Sequence, residues 1–173
     1  MAIKFLSTVA VDTNVLYVDA AANKVGIGTT SPNATLDIEN STGVTVDINS
    51  SSGDGQFRFQ DNGVTKWSIG RDNTQQDFVI SSSAGLNTDP VVVLNHSTEN
   101  VGIGTTTPGA KLEVAGGVKV ANDTDSASAN KEGTLRYRLA PSSPKSQSMV
   151  DMCMQTGPSS YAWVNIVTNT WSN

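Results

Sequence analysis

Only one cysteine, Cys153, occurs in this chain of 173 residues, so an intrachain disulfide cannot form and strand pairing and packing must supply the stability. Aromatic residues make up only 6% of the chain, which leaves few large side chains for a thick hydrophobic core. Charged residues make up 16%. Cys153 stands between two methionines in an apolar stretch, and we expect it to act as a small inert hydrophobic side chain.

Positive charge is scarce as well. The eleven Lys and Arg are scattered, the formal net charge is −5 and the pI is near 4.6. This pattern argues against nucleic acid and against an anionic membrane surface as partners. Residues 1–6 lead into no long apolar run, so the sequence predicts no signal peptide and no membrane-spanning helix. We therefore expect the chain to fold in a cytosol.

Small polar residues take the place of the missing types. Ser, Thr and Asn number 20, 19 and 15, and 15 glycines accompany them. Because Val, Ile, Leu and Thr recur at strand spacing, the composition indicates extended β structure with solvated faces rather than disorder. No segment of ten or more residues has helical periodicity, although residues 126–131 are expected to form one short turn.

The most informative feature is a segment that occurs twice. Residues 25–38 (VGIGTTSPNATLDI) return as residues 101–114 (VGIGTTTPGAKLEV) at an offset of 76 without a gap, and nine of the fourteen positions are identical. The strand-like stretches that precede the two copies, residues 15–19 and 91–95, share this offset. The sequence therefore predicts two β cycles of about 76 residues.

The period of two in this segment predicts a strand, a corner and a second strand. Val25 and Ile27 point to one face, while Gly26 and Gly28 leave the other face without side chains, which permits the close approach of another chain. Pro32 then stops the strand, and alternation resumes after it.

A unit of this size cannot enclose its own apolar side chains, so such units are repeated or packed against copies in neighbouring chains. We predict that the apolar and glycine positions of both copies pack between chains. The predicted residues are Val25, Gly26, Ile27, Gly28, Leu36 and Ile38 in the first copy and Val101, Gly102, Ile103, Gly104, Leu112 and Val114 in the second.

Two hairpins are predicted outside the repeated segment. Asn62-Gly63 supplies the positive-φ positions of a tight turn in the first. In the second, Val150, Met152 and Met154 share one face. The predicted hairpin strands are residues 57–60 with 65–69 and residues 148–155 with 161–167, and single strands are predicted at residues 44–48, 77–81 and 133–137.

Four segments are expected along the chain: an N-terminal attachment segment, a first β repeat, the glycine-proline part of a second β repeat, and a C-terminal β module. Their predicted bounds are residues 1–14, 15–90, 91–132 and 133–173. Many strands are too short and too glycine-rich to specify register within one chain, so neighbouring chains are expected to fix it.

The repeated segment and residues 132–137 (Glu-Gly-Thr-Leu-Arg-Tyr) resemble modules of tail fibres, neck appendages and other fibrous structural proteins of bacteriophages. The glycine-proline segment is also similar to parts of bacterial surface adhesins. The resemblance implies an elongated, intertwined, parallel homotrimer in which three copies surround a threefold axis and complete one another's sheets. It does not distinguish a place on the tail, neck or head.

Fibres of this kind often end in a self-cleaving intramolecular chaperone, for which these 173 residues have no room. The resemblance therefore implies that the C-terminal hairpin or a helper protein aligns the three chains. Long receptor-binding fibres contain many hundreds of residues, so a short fibre, a head or neck decoration, or one segment of a longer fibre is favoured.

Catalytic sites find little support in the sequence. Gly26-x-Gly28 lacks the third glycine of a dinucleotide loop, and no helix pattern follows it. A serine nucleophile would need His96, the only histidine, with Asp89 or Glu99, and a surface turn is the favoured place for His96. A tailspike that cleaves polysaccharide would need paired carboxylates in a sugar groove, and none is evident. We expect no enzymatic activity and no cofactor.

Two acidic pairs offer oxygen ligands for calcium in a loop. They are Asp123 with Asp125 and Asp72 with Asp77, and neither has the glycine turn and terminal glutamate of a dedicated site. An ion on the axis of a trimer is an alternative that the sequence does not locate. We predict no metal site.

Three aromatic residues near the C-terminus have two open roles. Tyr161, Trp163 and Trp171 lie where the distal tip of a fibre would be, and exposed aromatics stack on sugar rings. Alternatively, Trp163 packs on the threefold axis beneath Met152 and Met154 and closes the trimer, which is the role we favour.

The sequence thus predicts an all-β structural component of a bacteriophage virion, assembled in the host cytoplasm. We expect a short trimeric fibre or appendage segment whose partners are its own copies and other virion proteins. The alternative is a receptor-binding adhesin tip that attaches to a glycan on the host surface. Inter-chain strand pairing would supply mechanical strength, since removing one chain exposes sheet edges and apolar rows.

Overall fold

The computed structural model of this protein describes residues 9–11, 15–140 and 146–171. The prediction of an all-β fold is confirmed, because three open sheets account for nearly all regular structure. Within the described residues the helical structure is the 3-10 turn Ala129–Lys131, at the predicted place, and no helix there could cross a membrane. The chain divides into two compact units, Met1–Phe57 and Arg58–Asn173.

The first sheet has four strands in the order β1-β2-β3-β4. They are β1 (Val9–Val11), β2 (Leu16–Asp19), β3 (Lys24–Ile27) and β4 (Leu36–Ile38). The pairs β1–β2 and β2–β3 are antiparallel, whereas the corner at residues 28–35 returns the chain so that β4 runs parallel to β3. Most of the predicted attachment segment, residues 1–8 and 12–14, lies outside the described residues.

The second sheet has six strands in the order β10-β9-β8-β7-β6-β5. They are β5 (Gly55–Asp61), β6 (Val64–Arg71), β7 (Phe78–Ser81), β8 (Pro90–Leu94), β9 (Val101–Ile103) and β10 (Leu112–Val114), and the boundary between the two units falls inside β5. The first predicted hairpin is confirmed as β5 and β6. Asn62 and Gly63 have φ values of 47° and 77°, as the tight turn requires.

The third sheet has three antiparallel strands in the order β11-β12-β13. They are β11 (Leu135–Ala140), β12 (Ser146–Gly157) and β13 (Ser160–Trp171), so the predicted closing hairpin is confirmed and each of its strands is twelve residues long. A bulge interrupts the register where Val150 pairs with Val167 and Asp151 pairs with Asn165.

The predicted strand at residues 44–48 is wrong. This stretch has no regular structure, and the alternating side chains of Val44, Val46 and Ile48 are all exposed. Alternation marks a segment that could lie in a sheet, but a strand also needs a hydrogen-bonding neighbour, and no such pairing involves residues 44–48 in the described part of the chain.

The buried core is small. In the described residues, the buried apolar side chains are Val79, Leu86, Val93 and Cys153. Twenty-one large apolar side chains, by contrast, keep between 39% and 69% of their surface exposed. The apolar rows predicted from the sequence therefore exist, but most of them are not covered by the rest of the same chain.

Candidate self-association surfaces

The repeated segment folds in the same way twice. In the first sheet β3 and β4 pair in parallel with Val25 opposite Leu36, and in the second sheet β9 and β10 pair in parallel with Val101 opposite Leu112. The strand before each copy is also equivalent, because β2 pairs with β3 and β8 with β9 at positions 76 residues apart. The repeat is therefore a structural unit of three strands.

The turns that lead into the two copies share their chemistry. Asp19 accepts hydrogen bonds at Oδ1 from two following backbone N–H groups, each at 2.9 Å, and Asn95 does the same at 3.2 and 2.9 Å. At the last bend Asn23 and Glu99 have positive φ values of 55° and 58°. An aspartate and an asparagine thus build the same turn with a side-chain oxygen.

The glycine inside each strand is required by the corner of the same chain. A Cβ on Gly26 would lie 2.4 Å from the carbonyl oxygen of Thr29, and a Cβ on Gly102 would lie 2.4 Å from that of Thr105. The backbone of the corner thus occupies the space that a side chain at either glycine would need.

The second glycine of each motif has a different role from the one predicted. Gly28 and Gly104 lie just beyond the ends of β3 and β9, with φ values of 80° and 71°. They start the corner in the left-handed region, where glycine has no steric penalty. They do not extend a bare strand face.

The opposite face of each repeat unit is apolar and open. By register Val25, Ile27, Leu36 and Ile38 share one face in the first sheet, as Val101, Ile103, Leu112 and Val114 do in the second. Leu36 and Leu112 keep 58% and 60% of their surface exposed. The predicted packing positions thus form two equivalent apolar faces, which we call the repeat faces.

The other face of the second sheet is closed by the chain itself. The loop at residues 82–89 places the fully buried Leu86 against Val79 and Val93. The hydroxyl of Ser81, also fully buried, lies 3.0 Å from the Gly85 carbonyl oxygen and anchors the loop. Residues of the same chain therefore cover one face of the second sheet, while the face with Ile103 and Leu112 stays uncovered.

The C-terminal sheet divides its two faces by polarity. Asp151 is fully buried on one face, where it accepts hydrogen bonds from Arg136 Nε at 2.9 Å, Arg138 Nε at 2.5 Å and Asn165 Nδ2 at 3.1 Å. Burial raises the pKa of Asp151, but the hydrogen bonds from Arg138, Asn165 and Arg136 outweigh it and hold the pKa below its ordinary value.

A loop at residues 121–133 covers this charged face. Trp163 Nε1 donates to the Asp125 carbonyl oxygen at 2.9 Å, and the buried Cys153 lies with Sγ 3.6 Å from the Ser128 carbonyl oxygen. The loop is tied internally by Lys131, whose Nζ lies 2.6 Å from Asp123 Oδ2. That hydrogen bond lowers the pKa of Asp123 and raises the pKa of Lys131.

The other face of the same sheet is apolar and open. Cross-strand register places its side chains together on three neighbouring strands. This C-terminal apolar face consists of Leu135, Tyr137 and Leu139 from β11, Val150, Met152 and Met154 from β12, and Ala162, Val164 and Val167 from β13. At its margin Val118, Lys119 and Val120 line a groove with Tyr137 and Val150, with a volume of about 420 Å³.

The predicted place of Trp163 beneath the methionines is wrong. Val150, Met152 and Met154 do share a face, as predicted, but Trp163 pairs with Cys153 and therefore lies on the opposite face. Its ring is occupied by Arg136, whose guanidinium carbon lies 4.3 Å from the ring centroid.

The other candidate tip residues are placed differently. Tyr161 is half-buried on the same face as Trp163, and the backbone of Trp171 ends β13 opposite Ser146, while its side chain lies outside the described residues. The sequence interpretation missed Arg136, Arg138 and Asp151. Their signal was the alternation of Leu135, Tyr137 and Leu139 with two arginines.

The candidate metal and catalytic residues have other partners. Asp123 and Asp125 both form ion pairs with Lys131, and Asp77 accepts a hydrogen bond from the His96 backbone N–H at 2.8 Å. Asp72 accepts hydrogen bonds from two following backbone N–H groups. No cluster of three or more metal-ligating side chains occurs in residues 15–140 and 146–171.

No protein-family model matches the chain, and no curated protein matches it. The functional argument therefore depends on the three open apolar faces, which are the two repeat faces and the C-terminal apolar face. The loops at residues 82–89 and 121–133 lie against the other sides of the second and third sheets.

Proposed function

We propose that this protein is a non-enzymatic structural component of a bacteriophage virion, a short trimeric fibre or appendage segment assembled in the host cytoplasm. The observation that carries the proposal is the exposure of apolar side chains on the two repeat faces and on the C-terminal apolar face. Soluble monomers rarely expose such surfaces, and contiguous ones mark interaction sites.

Copies of the same chain are the partners that fit these faces best. A second copy brings apolar faces of the same size and spacing, because the repeat fixes where they occur along the chain. The resemblance of the glycine-proline segments and residues 132–137 to phage fibre modules supports three copies around an axis. Other virion proteins would contact the ends of such an assembly.

The geometry gives no comparable support to a receptor-binding tip. Sugar stacking needs a free aromatic face, whereas the Trp163 ring contacts the Arg136 guanidinium and its N–H is bound to the Asp125 carbonyl oxygen. Trp163 therefore connects the C-terminal sheet to the loop that covers it. Glycan binding by the assembled protein, lost in Trp163→Ala with the assembly intact, would favour the tip instead.

Two measurements test the proposal together. Mass spectrometry of purified phage particles produced from the genome that encodes this chain should detect it as a stoichiometric component. Native mass spectrometry of the isolated protein should give three times its 18.1 kDa. Absence of the chain from the particles would reject the virion role, and a monomeric mass would reject the assembly.

A further inference from the structure

We propose that Asn62 is a site of spontaneous covalent modification, at which the side-chain amide is converted to aspartate and isoaspartate in the folded protein. Of the 15 asparagines in the sequence, Asn62 is the only one that a glycine follows. It forms the tip of the β5–β6 hairpin together with Gly63. The chemistry occurs within one chain and is independent of the proposed assembly.

The first step joins the backbone nitrogen of Gly63 to the side chain of Asn62. The nitrogen loses its proton to hydroxide and forms a bond with Cγ of Asn62. The bond from Cγ to Nδ2 breaks, and ammonia leaves with a proton taken from water. The product is a five-membered succinimide ring. A side chain on the following residue would crowd this approach, and glycine has none.

Water then opens the ring at one of its two carbonyl carbons. Addition at Cγ of Asn62 breaks the new bond and leaves aspartate. Addition at the main-chain carbonyl carbon breaks the original peptide bond instead and leaves isoaspartate, in which the backbone runs through Cβ and Cγ. Each route consumes one water molecule and needs no oxidant or reductant. Both replace a neutral amide with a carboxylate that is charged at neutral pH.

The structure leaves both reacting groups accessible. Asn62 and Gly63 are exposed, and no atom lies within 4 Å of a Cβ built on Gly63. Within the described residues no hydrogen bond holds the Asn62 side-chain amide. Asn40, which a serine follows, differs in this respect, because its Oδ1 accepts hydrogen bonds from the Thr42 backbone N–H at 2.9 Å and the Thr42 hydroxyl at 2.7 Å.

Opening of the hairpin tip controls the rate. Asn62 and Gly63 have φ values of 47° and 77°, and ring closure requires the Asn62 backbone to rotate until its Cβ and the Gly63 nitrogen lie on the same side. The turn must therefore open first. Such local opening costs little free energy at an exposed tip. In the described part of the chain β5 is also an edge strand, with β6 as its neighbour.

Isoaspartate changes the hairpin more than aspartate does. An aspartate followed by glycine suits the same two-residue turn as asparagine followed by glycine. Isoaspartate adds one carbon to the backbone between β5 and β6, and a turn of two residues cannot absorb it without displacing the strand ends. The cross-strand hydrogen bond from Gln60 Nε2 to Thr65 Oγ1, at 3.2 Å, lies next to the turn and should be lost first.

Tryptic mapping of the aged full-length protein tests the inference. Cleavage after Arg58 and Lys66 releases peptide 59–66, in which Asn62 is the only asparagine. After incubation at mildly alkaline pH, mass spectrometry should show its acid form accumulating several-fold faster than that of peptide 25–58, which contains three asparagines. An isoaspartyl methyltransferase should label part of the product. Digestion in isotope-labelled water separates conversion during incubation from conversion during digestion.

Two variants serve as controls. Asn62→Gly keeps a residue that accepts positive φ but has no amide, so its peptide should gain no acid form. Asn62→Asp carries the charge of the product on an unaltered backbone, and hydrogen exchange in residues 59–66 should be faster in the aged protein than in this variant. Equal conversion of the two peptides, or conversion at Asn62 without isoaspartate, would overturn the inference. Equal hydrogen exchange would overturn the effect on the hairpin.

Discussion

The Arg136 guanidinium lies 4.3 Å above the ring centroid of Trp163 and on the side of the C-terminal sheet that the loop at residues 121–133 covers. This contact joins the sheet, the loop and the buried Asp151 into one charged layer. That layer covers one side of the sheet, and the apolar side with Leu135, Met152 and Val164 is left open.

Removal of the indole N–H should weaken the covering loop. Trp163→Phe keeps an aromatic ring under Arg136 but loses the hydrogen bond to the Asp125 carbonyl oxygen, for which we expect a loss of about 1 kcal/mol in the free energy of unfolding. Trp163→Leu also loses the cation–π contact and should cost about 1 kcal/mol more. Chemical denaturation measures both, and the exposed Trp67→Phe is the control. Equal stability of all three variants would show that Trp163 does not stabilise the contact between the sheet and the loop at residues 121–133.

Asp151→Asn should destabilise the C-terminal sheet strongly. The substitution leaves Arg136 and Arg138 without their anion in a largely buried layer, so we expect a loss of about 3 kcal/mol. Asp47→Asn, at an exposed position, should change stability by less than about 0.5 kcal/mol. Thermal unfolding followed by circular dichroism gives the comparison, and similar melting temperatures for the two variants would count against the ion pairs.

The same carboxylate predicts a loss of stability in acid. The folded pKa of Asp151 is lowered, so its contribution is complete above the pKa of an unfolded aspartate, about 3.9, and is lost as the pH falls through the lower folded value. Stability measured from pH 6 downward should therefore decline below about pH 4, with a smaller decline in Asp151→Asn. An identical pH dependence in the variant would show that other groups cause the decline.

Alanine at the strand glycines should strain the corners. Gly26→Ala or Gly102→Ala places a methyl group 2.4 Å from a backbone carbonyl oxygen that cannot rotate away, and we expect a cost of about 1–3 kcal/mol for each. Gly117→Ala is the matched control, because no atom lies within 4 Å of its added Cβ. Equal unfolding midpoints for Gly102→Ala and Gly117→Ala would contradict the close packing of the corner.

Local patterns predicted the strands well where a neighbour in sequence or a specific turn supplied the pairing. Asn62-Gly63 defines its hairpin, and the repeated segment folds identically twice. Residues 44–48 have the same alternation as true strands but lack a pairing partner, which the pattern could not reveal. Alternation also placed Val150, Met152 and Met154 correctly on one face.

The charged layer could not be predicted in the same way. It depends on which residue of β13 stands opposite Cys153, and that register follows from the turn and the bulge rather than from composition. The role of Gly26 likewise depends on a carbonyl three residues further along the chain, which a reading of strand faces does not consider. The sequence pattern predicts where strands occur, but it does not give the cross-strand register or the contacts between a strand and the loop that follows it.

The mass of the wild-type protein in solution tests the central claim most directly. If sister chains cover the open apolar faces, sedimentation equilibrium at micromolar concentration should give a single species of three times 18.1 kDa. A stable, cooperatively unfolding species of 18.1 kDa under the same conditions would contradict the account.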